Sequence, residues 1–440
     1  MKHKSPILAF LLLALPVFLP AQSNRLYSLS GSVNYNEWPT VRAVDTTWHL
    51  TYCRSSVAGE SCFTYVKNDG TSAKKIAWPD SLHIRDFQVV DGVVYFCGDN
   101  SASGVGIMGR MTIDTIIYPH AGVNYVEVEN TRYLHRLVAY PHYLPFSNRV
   151  WLAAIGRGDS TYENADVLVR CDNAQNAIGN YKIRKMHGDA ANGYERLEDI
   201  AVSLGRIVMA GYYEGVTPVC VSMRRSLAWQ MTDSELDTLY YYPDVTNAYD
   251  THLTGGPGDT VALTYRSAKT SSSTSKKYYS AVRFFKSGTM NNVSSWEIMK
   301  AKKNSLQDVV YLYGVRSLVM MDEEPERGLY FIAVPILPSV PPTTTLTLPL
   351  LYKGSVSCQS LSAVGGTHLV AAGALPHWIY IQQLTTQGCL QPGITKISAV
   401  TSSSKVTLYV PWTSPGLSTE TRSFFCEITQ GIVNVNCEDE

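Results

Sequence analysis

Short apolar runs alternate with turn residues along the whole chain, at intervals too brief for helices. Residues 196 to 224 show the unit: Arg196-Leu-Glu-Asp199-Ile-Ala-Val-Ser-Leu-Gly205, then Arg206-Ile-Val-Met-Ala-Gly211, a turn-rich Tyr212-Tyr-Glu-Gly215, and Thr217-Pro-Val-Cys-Val-Ser-Met-Arg224. Runs of this length, bounded by Gly, Pro or polar residues, predict consecutive antiparallel strands joined by tight connections. One such ribbon cannot bury a core by itself.

The pattern returns, and the residue that opens the first strand of each copy serves as its anchor. The anchors are Thr40, Asp86, Arg136, Asp199, Asp250, Asp308, Ser360 and Lys396, which makes eight copies separated by 46, 50, 63, 51, 58, 52 and 36 positions. A second apolar strand follows each, such as Val93-Val-Tyr-Phe or Arg149-Val-Trp-Leu, and a third closes most copies, such as Asp166-Val-Leu-Val or Gly328-Leu-Tyr-Phe. The spacing is that of four-stranded propeller blades. An all-β fold is expected: a single β-propeller of seven or eight blades, with the count favouring eight.

Outer strands are read at Lys75–Trp78, Asp114–Tyr118, Tyr181–Arg184, Leu227–Gln230, Ser295–Met299 and Thr345–Leu348. Between Trp378 and Lys396 none stands out, so 394–400 competes as the outermost strand of a seventh blade. Leu26-Tyr-Ser-Leu-Ser30 precedes the first anchor and has no partner in its own copy. In a propeller such a strand pairs with the last blade and removes an exposed edge, a place for which the C-terminal run Gly431–Cys437 competes. Helix is expected only at 233–239 and near 297–302.

Lys2 and Lys4, an apolar stretch from Ile7 to Phe18, and Leu19-Pro-Ala21 before Gln22 form a secretory signal peptide, cut after Ala21. The expected organisation is a signal peptide over 1–21 and a propeller over 22–440, secreted or periplasmic or on the outer cell surface, with no transmembrane segment. Without Lys2 and Lys4 the chain carries 35 basic against 37 acidic residues. That balance offers no field of one sign for nucleic acid or an anionic membrane.

Export permits disulfides, and all nine Cys lie beyond the signal. Cys53 and Cys62 end and begin neighbouring strands of the first copy, and Cys426 and Cys437 stand in the same relation in the last. Cys358 and Cys389 flank the seventh copy and form a third candidate pair. Cys97, Cys171 and Cys220 remain, and Cys97 reads as a small buried strand residue.

Four anchors are Asp: Asp86, Asp199, Asp250 and Asp308. In equivalent blades they would ring one mouth of the central channel, able to hold a hard cation such as Ca²⁺ or to act as acid and base on a glycosidic bond. The competing role is structural, each carboxylate accepting backbone N–H bonds at its own turn, and recurrence with the repeat favours it. Arg157-Gly-Asp159-Ser160 resembles the integrin-recognition motif of adhesive proteins, in which Arg157 and Asp159 would make the contact. The resemblance spans four residues of ordinary turn chemistry. Asn68-Asp-Gly70 resembles the aspartate-box turn of sialidase-like propellers but lacks its flanking Ser/Thr and Thr-Trp, and reads as a hairpin turn. The 28 Tyr residues bring aromatics to loops and strand ends, where they suit protein or sugar partners.

No metalloprotease, nucleophile-elbow or phosphate-loop motif occurs, nor do Cys pairs at zinc spacing. The sequence favours a secreted, non-catalytic propeller binding a protein or glycan partner in the cell envelope or outside the cell, with no cofactor. Two rivals stand beside it: a carbohydrate-active hydrolase or lyase using channel-mouth carboxylates, and an adhesin using the Arg-Gly-Asp loop.

Overall fold

The computed structural model describes residues 25–29, 40–45, 48–54, 61–67, 73–113, 123–144, 147–186, 195–204, 206–213, 218–224, 236–241, 248–270, 276–289, 291–300, 305–312, 317–324, 328–335, 343–347, 358–364, 368–373, 378–383, 404–408, 417–418, 422–429 and 432–439. The chain is all-β there, with one 3₁₀ turn at Ser160–Tyr162. Six four-stranded antiparallel sheets follow one another in chain order, opening with Thr40–Ala43, Leu82–Val90, Thr131–Leu144, Glu195–Ser203, Ala248–Gly255 and Ser305–Leu312. A seventh sheet runs Cys358–Val364, His368–Gly373, Trp378–Gln383, and then takes in Arg25–Leu29 from the other end of the chain, followed by Leu417–Ser418. Its order follows from register: Tyr27 pairs with Ile379 on one side and Ser28 with Ser418 on the other.

The opening strands touch from each sheet to the next, from the first through the seventh, and the seventh touches the first. The eighth copy differs from its expected role. Its anchor Lys396 and 397–400 lie outside the described residues; Ser404–Leu408, Arg422–Thr429 and Ile432–Asp439 form a three-stranded sheet whose last strand touches Thr343–Thr347, the outer strand of the sixth. The C-terminal strand thus pairs with Arg422–Thr429, and the N-terminal strand Arg25–Leu29 pairs with Trp378–Gln383.

The second sheet shows why these residues choose strands. Leu82–Val90 and Val93–Asn100 bury their apolar positions, and Asp91 (φ 49°) and Gly92 (φ 73°) join them with Val90 facing Val93. Two consecutive positive φ values make the type I′ turn whose twist matches the flanking strands, a turn that Asp-Gly adopts at little steric cost. The core is a series of seams between neighbouring sheets. Leu50, Tyr52 and Phe63 of the first sheet pack on Phe87, Val94 and Phe96 of the second, Val208 and Ala210 of the fourth on Leu253, Leu263 and Phe285 of the fifth. In the first seam Phe63 lies edge-on to both Trp78 and Phe87, with ring centroids 5.1 and 5.5 Å apart, and the Trp78 indole N–H donates to Leu82 O at 2.8 Å.

Both segments expected to be helical include strand: Leu236–Tyr241 pairs with Pro218–Arg224, and Asn292–Lys300 pairs with Lys276–Lys286. A free sheet edge supplied the backbone partners that a lone short helix lacks. Outer strands also moved. That of the second sheet is Asn124–Glu127 and that of the fourth is Leu236–Tyr241, whereas 114–118 and 227–230 lie outside the described residues.

Candidate functional site at the mouth of the opening strands

Each opening strand from the second sheet to the seventh carries a register shift near its start: at Ile84/Asp86, Leu134/Arg136, Leu197/Asp199, Tyr249/His252, Leu306/Asp308 and Cys358/Ser360. In all of these but the fifth sheet the anchor is the first residue back in register. A bulge re-aims side chains at the rim of a sheet, and its extra residue is polar in every copy: Arg85, His135, Glu198, Asp250 with Thr251, Gln307 and Gln359. Opposite the bulge the second strand places Gly98, Gly156 and Gly211, where an added Cβ would overlap the carbonyl oxygens of His83, Tyr133 and Arg196. Only glycine tolerates so close a backbone approach.

Asp86, Asp199 and Asp308 occupy one equivalent position. In each, Oδ1 accepts the following backbone N–H at 2.8 Å, from Phe87, Ile200 and Val309. The second oxygen reaches the next sheet: Leu137 N donates to Asp86 Oδ2 at 3.0 Å and Leu253 N to Asp199 Oδ2 at 2.8 Å. Asp250 does not join them. The fifth bulge holds two residues, so His252 stands in the row, while Asp250 sits at φ 54° and forms an ion pair with Arg266, Oδ2 lying 3.1 Å from Nε.

Charges alternate along this row. Arg42 NH2 lies 2.6 Å from Asp86 Oδ1, Arg136 Nε 3.8 Å from Asp199 Oδ1, and His252 Nδ1 4.0 Å from Asp199 Oδ2. Burial disfavours the Arg136 charge, but the carboxylates of Asp199, Asp86 and Asp308 outweigh it and push the pKa of the guanidinium up. Burial lifts Asp199 above the usual carboxylate range, against the pull of Arg136, His252 and the Leu253 N–H.

Bulge and third-strand residues make further bonds between sheets. His135 Nε2 donates to Leu197 O at 3.1 Å, and the Leu197 N–H donates to Asp166 Oδ2 at 2.6 Å. Thr251 N donates to Glu198 Oε2 at 2.8 Å. Burial raises Asp166 to about 6 despite the Leu197 N–H and Arg157, and it raises Glu198. Burial, helped by Arg136, lowers His135 to about 3. Arg42, His135, Asp166 and Glu198 escaped the sequence reading. The signal for His135 and Glu198 was a polar residue one place ahead of the anchor.

The Arg-Gly-Asp tripeptide is held inside the third sheet rather than offered as a free loop. Arg157 lies one residue before the end of the strand Ser147–Gly158 and donates from NH1 to Asp166 Oδ1 at 2.8 Å; Asp159 Oδ1 caps the 3₁₀ turn by accepting from Thr161 N at 2.8 Å and Tyr162 N at 3.4 Å. Gly158 between them is buried, and a Cβ there would lie 2.6 Å from Tyr162 Cβ. Packing holds Gly158, capping engages Asp159, and one edge of Arg157 is anchored on Asp166.

Among the cysteines, Cys53 faces Cys62 and Cys426 faces Cys437 as direct cross-strand Cα partners. Cys358 faces Gly373, and Cys389 lies outside the described residues. Cys62, Cys97 and Cys171 are buried and in no disulfide, and burial pushes Cys171 up to about 11. Among the described residues no group of three or more His, Cys, Asp or Glu is placed to hold a metal ion, and no helix is long and apolar enough to cross a membrane.

No protein-family model and no curated protein matches the sequence. Solved structures do resemble the fold. A chain of the mitotic checkpoint complex is 10% identical, with a TM-score of 0.51, over 87% of this chain and 100% of that one. A mutant puromycin hydrolase complexed with PGG is 11% identical, with a TM-score of 0.50, over 89% of this chain but 59% of its own length. The β-propeller domain of the trilobed protease from Pyrococcus furiosus is 8% identical, with a TM-score of 0.46, over 82% of this chain and 98% of that domain. At these identities the likeness extends to the fold alone.

Proposed function

We propose that the chain is a seven-bladed β-propeller, exported after loss of residues 1–21, that binds a protein or glycan partner in the envelope or outside the cell and performs no catalysis. Closure is assigned to Arg25–Leu29, which supplies the outer strand of the seventh blade, and the cycle of contacts between opening strands supports the count of seven. The binding reading rests on the anchor carboxylates. Both oxygens of Asp86 and of Asp199 are committed to backbone N–H groups, so neither is poised to pass a proton to a glycosidic oxygen. They join blade to blade instead.

Capture from the envelope and culture fluid with the full exported chain tests the reading: a partner retained in stoichiometric amount supports it. Hydrolysis or elimination of any polysaccharide by the purified protein, abolished by Asp199→Asn at unchanged fold, overturns it. Export carries its own checks. The exported chain should begin at Gln22, and Cys53–Cys62 and Cys426–Cys437, whose facing positions suit disulfide geometry, should each appear as a linked peptide pair by mass spectrometry without reductant.

A further inference from the structure

We propose that the rim joining the second and third sheets recognises an acidic segment of a protein partner, with Arg85 and Arg157 as a paired carboxylate receptor and Tyr133 set between them. The proposal rests on the binding reading above and names the chemistry of the partner. Arg85 is fixed by one edge of its fork: Nε donates to Asp99 Oδ1 at 2.6 Å, and its Cζ lies 4.5 Å from the centroid of the Tyr133 ring. Asp99 is itself held by His83 Nδ1 at 2.9 Å. Arg157 is fixed in the same manner, NH1 on Asp166 Oδ1. Its Cα partner across the ladder is Tyr133, which places both side chains on one face of the sheet.

Each guanidinium therefore has one edge anchored to a carboxylate, partly buried in Asp99 and buried in Asp166, and its remaining N–H donors unspent, with arginine side chains 36% and 25% exposed. A guanidinium held this way has already lost its rotamer freedom, so a planar carboxylate meets a preorganised fork. His135 adds the complement. Its ring lies 6.0 Å from that of Tyr133, Nε2 donates to Leu197 O, and Nδ1 is buried with no hydrogen-bond partner. Burial and the nearby guanidinium groups of Arg136, Arg85 and Arg157 keep the ring neutral, so Nδ1 can only accept. A peptide bearing Asp or Glu supplies both halves, carboxylate oxygens for the two forks and a main-chain N–H for Nδ1. Tyr and Arg are also the residues that dominate the centres of protein interfaces.

The test uses the full exported chain and fluorescein-labelled hexaglutamate, read by anisotropy at low salt, with hexalysine and oligogalacturonate as comparators. Hexaglutamate should bind and hexalysine should not. Arg85→Ala and Arg157→Ala should each weaken binding about tenfold or more, and Arg149→Ala, an exposed arginine at the far end of the third sheet, should leave it unchanged. Arg85→Lys should restore only part of the loss, because a point charge cannot replace the fork. If Arg157→Ala fails to fold through leaving Asp166 unpaired, Arg85→Ala decides alone. Absence of hexaglutamate binding, an equal loss in Arg149→Ala, or tighter binding of oligogalacturonate overturns the proposal. A partner captured equally well by the Arg85→Ala/Arg157→Ala double variant also overturns it, and leaves the binding function itself standing.

Discussion

Single residues at the mouth of the opening strands do work that their types alone would not announce. Asp199→Asn should keep one acceptor oxygen but replace the other by an N–H donor facing a backbone N–H. Thermal unfolding should then report a loss of roughly 2–4 kcal/mol, larger than an exposed Asp→Asn change such as Asp80→Asn. The seam at Leu197 carries two opposed pH effects. Asp166, raised to about 6, binds a proton in the folded state before it would unfolded, so its contribution to stability is present below about pH 4 and is lost as pH rises through 6. His135, lowered to about 3, does the reverse: its contribution is present above its ordinary value of 6.5 and is lost as pH falls toward 3. Asp166→Asn removes the first and leaves the second. Urea midpoints at pH 4.5 and 6.5 should therefore show the variant losing more stability on acidification than the parent protein.

At the scale of elements, alternation of apolar and polar residues exposed the strands, because a strand buried on one face writes its period of two into the sequence. It exposed the anchors as well, since Asp86, Asp199 and Asp308 each precede an apolar run. The fifth anchor misled because a two-residue bulge put an Asp, at 250, two places ahead of His252, and a one-dimensional pattern cannot see which residue is extruded. Outer strands such as Asn124–Glu127, largely exposed, write no such period. The recurrent glycines Gly98, Gly156 and Gly211 were legible and passed unread; Gly211→Ala should destabilise the fourth sheet by roughly 1–3 kcal/mol through overlap with Arg196 O, measurable as a lower urea midpoint. Turn chemistry yields a gain instead. Leu204 sits at φ 42° and is 69% exposed, in a conformation that opposes its branched side chain. Leu204→Asn, which with Gly205 makes an Asn-Gly hairpin turn, should raise stability by about 1 kcal/mol, read in the same urea assay.

For the whole molecule, the sheets behave as modules joined by seams, and each seam combines an apolar cluster with polar bonds at the mouth. The apolar part carries most of the energy: Phe63→Ala, which empties the centre of the seam between the first two sheets, should cost roughly 3–5 kcal/mol. The repeat was legible because every module needs the same inward face. The packing of the last copy was not, because its strands have the same character as the others and differ only in lying against Thr343–Thr347. Arg25–Leu29, wedged between Trp378–Gln383 and Leu417–Ser418, has a consequence in time. Tyr27 waits for a partner made roughly 350 residues later, which at ribosomal speed is on the order of half a minute. A nascent chain must spend that interval with its earliest strand unmated, and cells that hold the polypeptide extended until synthesis ends would spare it from premature, mistaken pairing.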